Sequence, residues 1–177
     1  MRSYRFVVAG ILLLGCGVAL AQNEPKRGPS TAEERARFVT LTHKLEQNPL
    51  DKNLYADKEW ALQWIEDIPD ITVDICPLVL GQDFMTSHYK YTNQVMGQVI
   101  LGTVVFLIEH PDKKNDRVAQ YTAGVESALK AYKGILRADP VPSRPLEELL
   151  RLQSDGKLAD FVKTTAKDCQ SGDQMGL

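Results

Sequence analysis

The chain has 177 residues, with 21 Lys and Arg against 23 Asp and Glu, which gives a formal net charge of −2 at pH 7. Nucleic-acid binding needs a concentrated basic face, and no Lys/Arg cluster of that kind occurs, so this class of partner is excluded. The length suits one domain with a sizeable core, which leaves small molecules and other proteins as partners.

The first 21 residues have the pattern of a secretory signal peptide. Arg2 and Arg5 form a basic start, residues 6–14 are apolar, and Ala19-Leu20-Ala21 is a small-x-small cleavage site. The mature chain would then begin at Gln22 and carry 19 basic residues against 23 acidic ones, a net charge of −4. We therefore expect a periplasmic or secreted protein.

Lipoprotein processing at Cys16 is the alternative for this segment, because Leu13-Leu14-Gly15-Cys16 is similar to a loose lipobox. Leu14 stands where a small residue is usual, and the apolar run continues past the cysteine, which favours the cleaved signal peptide. In both cases the chain leaves the cytoplasm.

Export makes the two remaining cysteines, Cys76 and Cys169, interpretable as a pair. An even number of cysteines in an oxidising compartment predicts a disulfide. It would close a loop of more than ninety residues, for which chain entropy gives roughly 4–5 kcal/mol. The alternative, a free catalytic thiol, needs a base and an electropositive setting, and neither cysteine has a His or a Lys/Arg cluster nearby in sequence.

Residues 22–29 are polar, contain two prolines and predict a flexible lead-in to a helical domain spanning 30–170. Ser30 to Glu33 fits a capping box, so the first helix would begin there and continue to about Gln47, before Asn48-Pro49. Its apolar face comprises Phe38, Leu41 and Leu45.

The second predicted helix starts at Asp51 and ends at Ile68, where Pro69 stops it. Trp60 and Trp64 lie one turn apart along one edge of its apolar face. Asp70 could cap a third, mostly buried helix that Pro77 kinks or restarts, and residues 81–89 would form a loop.

Residues 91–111 predict the helix around which the others pack. The stretch is apolar on every side, so every side must be covered, and its unbroken apolar part is shorter than the ~20 residues of a membrane span. The β-branched residues leave a buried strand open, because periodicity cannot separate the two for such a run. Polar Gln94 and Gln98 and the stop at Pro111 favour the helix.

A long amphipathic helix follows, capped within residues 112–116 and ending near Ala138, with Gln120 on its water-facing side. A proline-rich linker at 139–145 precedes two short helices, and residues 171–177 would fray. The whole pattern predicts an all-α, single-domain orthogonal bundle of six or seven helices around a buried central helix.

The sequence shows no catalytic or metal-binding constellation, so we expect no cofactor and no metal. His43, His88 and His110 are too far apart for a local metal motif. The acidic residues around Pro69, mainly Asp67, Asp70 and Asp74, could form a carboxylate pair for acid–base catalysis, but acidic residues also simply favour a helix start.

Four aromatic residues are the candidate binding residues: Trp60, Trp64, Tyr89 and Tyr91. Aromatic side chains at the rim of an apolar face often anchor protein contacts. The alternative is that they belong to the core.

One family resemblance joins these patterns. Cys76-Pro77 before Gly81-Gln82, a long apolar helix closing in residues 108–111, and then Ala119 to Ala128-Leu129 resemble Tai-type periplasmic immunity proteins. That resemblance implies a small, helical, disulfide-bonded protein that neutralises secreted cell-wall amidases, with an architecture like that of periplasmic acid-stress chaperones. In the family a second cysteine would follow soon after Leu129, where this chain has Lys133-Gly134, so no contact residue is carried over.

We therefore expect an exported binding protein rather than an enzyme. Its partner would be an envelope or secreted protein, or a small apolar ligand, with no membrane span in the mature chain. The alternatives are a stress-protective or structural role, and an enzyme that uses Asp67, Asp70 and Asp74, or His88 and His110.

Overall fold

The computed structural model describes residues 27–172, which form a single all-α domain of seven helices without a strand in this range. The predicted signal peptide, Cys16 and residues 22–26 lie outside the described residues, as do residues 173–177. The helices are α1 (Ala32–Gln47), α2 (Tyr55–Asp67), α3 (Gln82–Thr86), α4 (Thr92–Glu109), α5 (Arg117–Ala138), α6 (Arg144–Ser154) and α7 (Leu158–Gly172).

The predicted central helix is confirmed as α4, and the strand alternative for this stretch is wrong. α4 packs along α5 and also against α1. Two glycines allow the α4–α5 approach: a Cβ at Gly102 would lie 2.3 Å from the Cβ of Ser127, and one at Gly124 would lie 2.7 Å from the carbonyl oxygen of Val99. A side chain at either position would push the two helices apart.

α4 divides the interior into two apolar clusters. Its N-terminal half contributes Val95 and Val99 to a cluster with α5, α6, α7 and residues 76–91. Its C-terminal half contributes Leu101 and Val104 to a second cluster with α1 and α2. The central helix is therefore covered by different neighbours along its length.

α4 is also the one helix among residues 27–172 that is long and apolar enough to cross a membrane. Half of that stretch is buried inside the domain, and a core helix of a globular protein passes the same test. Its length and composition thus fit the buried central helix that the sequence predicts.

α1 begins one residue later than predicted. Thr31, not Ser30, is the N-cap: its hydroxyl accepts from the Glu34 amide at 3.2 Å, and Glu34 accepts from the Thr31 amide at 2.9 Å. Ser30 instead donates its amide and hydroxyl to Asp70, at 2.8 and 2.7 Å. Because Ser30 binds Asp70, which is distant in sequence, Thr31 takes the N-cap position of α1.

The predicted third helix after Asp70 is wrong. Residues 71–76 form no helix, turn or bend, and the chain resumes as a 3-10 turn at Pro77–Leu80. Two prolines and the β-branched residues between them disfavour a helix here. The segment is also less buried than predicted, since Ile75 is 56% exposed.

Residues 81–89, predicted as a loop, contain the short helix α3, which packs on the 3-10 turn and on α6. The predicted second helix also starts later, because residues 52–54 form a 3-10 turn before α2.

The predicted cysteine pairing is confirmed: Cys76 and Cys169 are bonded, with Cα atoms 5.8 Å apart. This bond ties α7 to the end of the non-helical segment 71–76.

Polar contacts join the helices inside the bundle. Gln98 donates to the Ser127 hydroxyl at 2.9 Å, and Ser127 donates to Glu46 at 2.7 Å, which links α4, α5 and α1. Gln120, predicted to face water, is 3% exposed and donates to the carbonyl oxygens of Lys113 and Lys114. The buried side-chain amides of Gln98 and Gln120 are therefore hydrogen-bonded within the protein, as buried polar groups generally are.

Candidate functional site

The four candidate aromatic residues do not form one site, because the two pairs lie in different clusters. Trp64 is 2% exposed and stacks between Trp60 and Phe38, with ring centroids at 6.0 and 4.8 Å. Trp60 is half-buried, and the Arg37 guanidinium lies 3.8 Å from its ring centre. This pair therefore mainly completes the α1–α2–α4 core.

Tyr89 and Tyr91 are each 8% exposed and use their hydroxyls inside the protein. Tyr89 donates to the carbonyl oxygen of Val141 at 3.1 Å, and Tyr91 donates to Asp139, which also binds Lys90 at 2.6 Å. Burial raises the pKa of Tyr89 to about 12, with the neighbouring Tyr91 adding to the effect. These contacts fix residues 139–141 after α5, and they agree with the alternative that Tyr89 and Tyr91 belong to the core.

The three carboxylates proposed as an acid–base group bind separate partners. Asp67 accepts from Gln63 at 2.9 Å, Asp70 from Arg35 at 2.7 Å, and Asp74 pairs with Arg117 at 3.0 Å. Partial burial opposes ionisation of Asp70, but the hydrogen bonds from Ser30 and Arg35 outweigh it and lower its pKa. Asp70 and Asp74 share no helix face, since their segment is not helical.

The histidines have separate environments as well. His43 contacts Glu46 at 3.1 Å, His110 ends α4 with its ring 4.8 Å from that of Phe106, and His88 is exposed. Residues 27–172 hold no group of three His, Cys, Asp or Glu side chains that could bind a metal ion.

An open cleft of about 790 Å³ lies where α3, α6 and α7 meet. Its apolar lining comes from Leu80, Leu149 and Phe161. Leu80 and Leu149 are anchored in the core, whereas Phe161 is only partly buried. The polar lining consists of Gln82, Asp83, Ser87, Arg144, Glu147, Glu148 and Arg151.

Most charges around this cleft already have partners. Arg151 bonds Glu148 and, at 3.0 Å, Asp155, and its hydrogen bond lowers the pKa of Glu148. Glu147 accepts from the buried Tyr132 hydroxyl at 2.6 Å. Arg144 forms no close ion pair or hydrogen bond with any of residues 27–169, although its positive charge makes a smaller contribution to the lowered pKa of Glu148, one turn along α6. Its guanidinium N–H groups can therefore still donate to a ligand.

Arg144 is also the first residue of α6. The preceding Ser143 makes no side-chain cap, and Pro145 follows. The helix dipole adds positive potential beside the guanidinium, while the Glu147 and Glu148 carboxylates at the same end of α6 oppose it. An anionic group would therefore have to contact the Arg144 guanidinium directly.

A smaller cleft of about 370 Å³ continues along α7, sharing Gly81, Gln82 and Phe161 with the larger one. Cys169 holds α7 against residues 76–80, of which Leu78 lines this smaller cleft. The disulfide thus supports the site as well as the fold.

Sequence reasoning missed this site because its walls come from four separate segments. The sequence showed only partial signals, namely the apolar residues of α6 and the proline-rich segment before it. The absence of a side-chain cap from Ser143 became visible only in the structure. The contact between α3 and α6 could not be predicted from the sequence, because the residues of α3 were predicted as a loop.

The fold defines a class, a small disulfide-bonded all-α domain with an open cleft between α3, α6 and α7. The chain matches no family model, no curated protein and no solved structure. The Tai-type resemblance stays a prediction.

Proposed function

We propose that this is an exported, non-enzymatic binding protein whose α3–α6–α7 cleft holds a small amphipathic ligand with an acidic group. The observation that carries the proposal is Arg144, a guanidinium without a close ion pair to residues 27–169, at the rim of a cleft that has both apolar and charged lining. At about 790 Å³ the cleft is within the ~300–1,000 Å³ that is usual for small-molecule sites.

In the proposed complex the apolar part of the ligand lies against Phe161 and Leu149, and its anionic end lies at Arg144. Asp83, on the opposite wall, would accept a hydrogen bond from a hydroxyl or amide of the ligand. The disulfide and the predicted signal peptide support an oxidising compartment, periplasmic or extracellular, as the place of binding.

Binding of dodecanoate to the oxidised chain, compared with dodecanol and dodecyltrimethylammonium by calorimetry, tests the proposal. We expect the carboxylate to bind most tightly. Arg144→Gln should weaken carboxylate binding by about tenfold or more while leaving dodecanol unchanged, because it removes a charge-assisted hydrogen bond.

Phe161→Ala should weaken carboxylate and alcohol alike. Lys157→Ala is the matched control, since it removes a nearby exposed cation that does not line the cleft. Tighter binding of the ammonium compound, or equal effects of Arg144→Gln and Lys157→Ala, would contradict the proposal.

A further inference from the structure

Residues 71–75, Ile-Thr-Val-Asp-Ile, form a segment without helix, turn or bend. It follows a bend at residues 69–70 and leads into Cys76, whose backbone is extended, with φ/ψ of −120°/96°. No backbone hydrogen bond outside the helices involves an amide or carbonyl of residues 71–75, and no described side chain bonds to them. The segment thus has the hydrogen-bonding capacity of an unpaired β-strand edge.

The segment is held in this conformation by side-chain contacts along its length. Asp70 binds Ser30 and Arg35 just before it, Asp74 pairs with Arg117 within it, and Cys76 is bonded to Cys169 just after it. Because these contacts already order the segment, binding a partner would cost little additional conformational entropy on this side of the interface.

A cleft of about 570 Å³ runs beside this segment, lined on one side by Ile71 and Thr72. The opposite wall is apolar, with Leu107 and Ile108 at the end of α4 and Pro111 in the following turn. The backbone without hydrogen bonds therefore borders this cleft at Ile71 and Thr72, and the cleft offers apolar surface at Leu107, Ile108 and Pro111.

The charge of this cleft indicates the chemistry of the occupant. Arg35 is neutralised by Asp70, but Lys114, which also lines the cleft, is exposed and has no ion pair with any described residue. An acidic side chain or a C-terminal carboxylate would complement it.

We infer that residues 71–75 bind an extended polypeptide segment of another protein, which adds as a β-strand in this cleft. The peptide pairs with the backbone of residues 71–75, places alternate apolar side chains on Leu107, Ile108 and Pro111, and directs a carboxylate to Lys114. This site is separate from the α3–α6–α7 cleft and does not depend on the ligand proposed there.

The test uses fluorescein-labelled decapeptides in which Val, Ile, Leu or Phe alternates with Thr and one end carries Glu, titrated with the oxidised chain by anisotropy. For the tightest peptide, two isomers are made with N-methyl groups on alternate amides of one edge or of the other. Backbone pairing predicts that one isomer loses about tenfold or more in affinity and that the other binds as before, because only one edge pairs.

On the protein, Lys114→Ala should weaken the acidic peptide by about two- to fivefold, as expected for an exposed ion pair, while Lys113→Ala, which is next to it but outside the cleft lining, should not. Thr72→Pro and Val73→Pro remove amides of opposite edges, so one of them should abolish binding, with circular dichroism confirming that both fold.

Equal affinities of the two N-methylated isomers, or no binding by any peptide of the panel, would overturn the inference. So would self-association of the chain in sedimentation experiments that one proline variant abolishes, because the strand partner would then be a second copy. Since Arg144→Gln leaves this cleft intact, the failure of either proposal is recognisable without the other.

Discussion

The α4 helix and the segment 69–81 have a similar density of apolar residues but entirely different structures. α4 is a regular helix in close contact with α5, and its order comes from backbone hydrogen bonds and packing at Gly102 and Gly124. The segment has prolines at 69 and 77 and depends on tethers from its side chains: Asp70, Asp74 and Cys76. Apolar content therefore indicates burial, but the positions of the prolines decide whether the chain forms a helix or a segment fixed by side-chain contacts.

The largest expected effect is the loss of the strongest tether. Replacing Cys76 and Cys169 by serine should lower the free energy of unfolding by about 2–5 kcal/mol, because the bond closes a long loop. Urea denaturation of the double variant and of the reduced wild type should give the same midpoint. Hydrogen exchange should increase more in residues 69–81 and α7 than in α4 and α5, and equal increases would contradict the comparison.

The second-largest expected effect concerns the close packing of α4 against α5. Gly102→Ala should destabilise the protein by about 1–3 kcal/mol, because its Cβ would overlap the Cβ of Ser127, which cannot rotate away. Gly97→Ala on the same helix meets only the flexible end of Lys58 at 3.4 Å and should stabilise by about 0.5–1 kcal/mol. Thermal unfolding of the two variants measures this, and shifts in the same direction would show that the α4–α5 distance is not set by Gly102.

The smallest effect is that of the polar tether at Asp70. Its pKa lies below the ordinary 3.8, so ionised Asp70 stabilises the fold above the unfolded-state pKa, and this stabilisation is lost as pH falls through the lowered value. Asp70→Asn should cost about 1 kcal/mol at pH 7, and the difference from wild type should shrink below about pH 4.

Asp67→Asn is the matched control for Asp70→Asn, because Asp67 accepts only from Gln63 on its own helix. Urea midpoints between pH 7 and pH 3 measure both variants. A constant difference between Asp70→Asn and wild type across this range would show that the Ser30–Asp70–Arg35 contacts do not stabilise the segment.

Local sequence signals were sufficient where partners are close in the chain. The continuous apolar stretch before His110 predicted α4, and Asp116 capped α5 as expected. The disulfide joins residues 93 apart, but its pairing was predictable because the predicted mature chain has only two cysteines. Local signals failed where a distant residue competed. Asp70 was expected to cap a helix but instead accepts from Ser30, forty residues away, and that contact also moved the N-cap of α1 to Thr31.

The candidate site was the least predictable feature. Aromatic residues are prominent in a sequence, so Trp60, Trp64, Tyr89 and Tyr91 were natural choices, but three of the four are buried in two separate clusters. Arg144 belongs to no local sequence motif, and its availability to a ligand depends on which charged residues form ion pairs after folding. Such pairing is a property of tertiary contacts and leaves no periodicity in the chain.

The amino-acid sequence by itself determined the helical class, the central apolar helix and the cysteine pair, because each depends on residue type, spacing or number. Only the tertiary structure decided that residues 71–76 are not helical, that α3 and α6 line an open cleft, and that Arg144 and Lys114 form no close ion pair with the described residues. Those features depend on contacts between residues that are distant in sequence. In residues 71–76, the neighbouring prolines and the side-chain contacts prevented the helix that the apolar content had indicated.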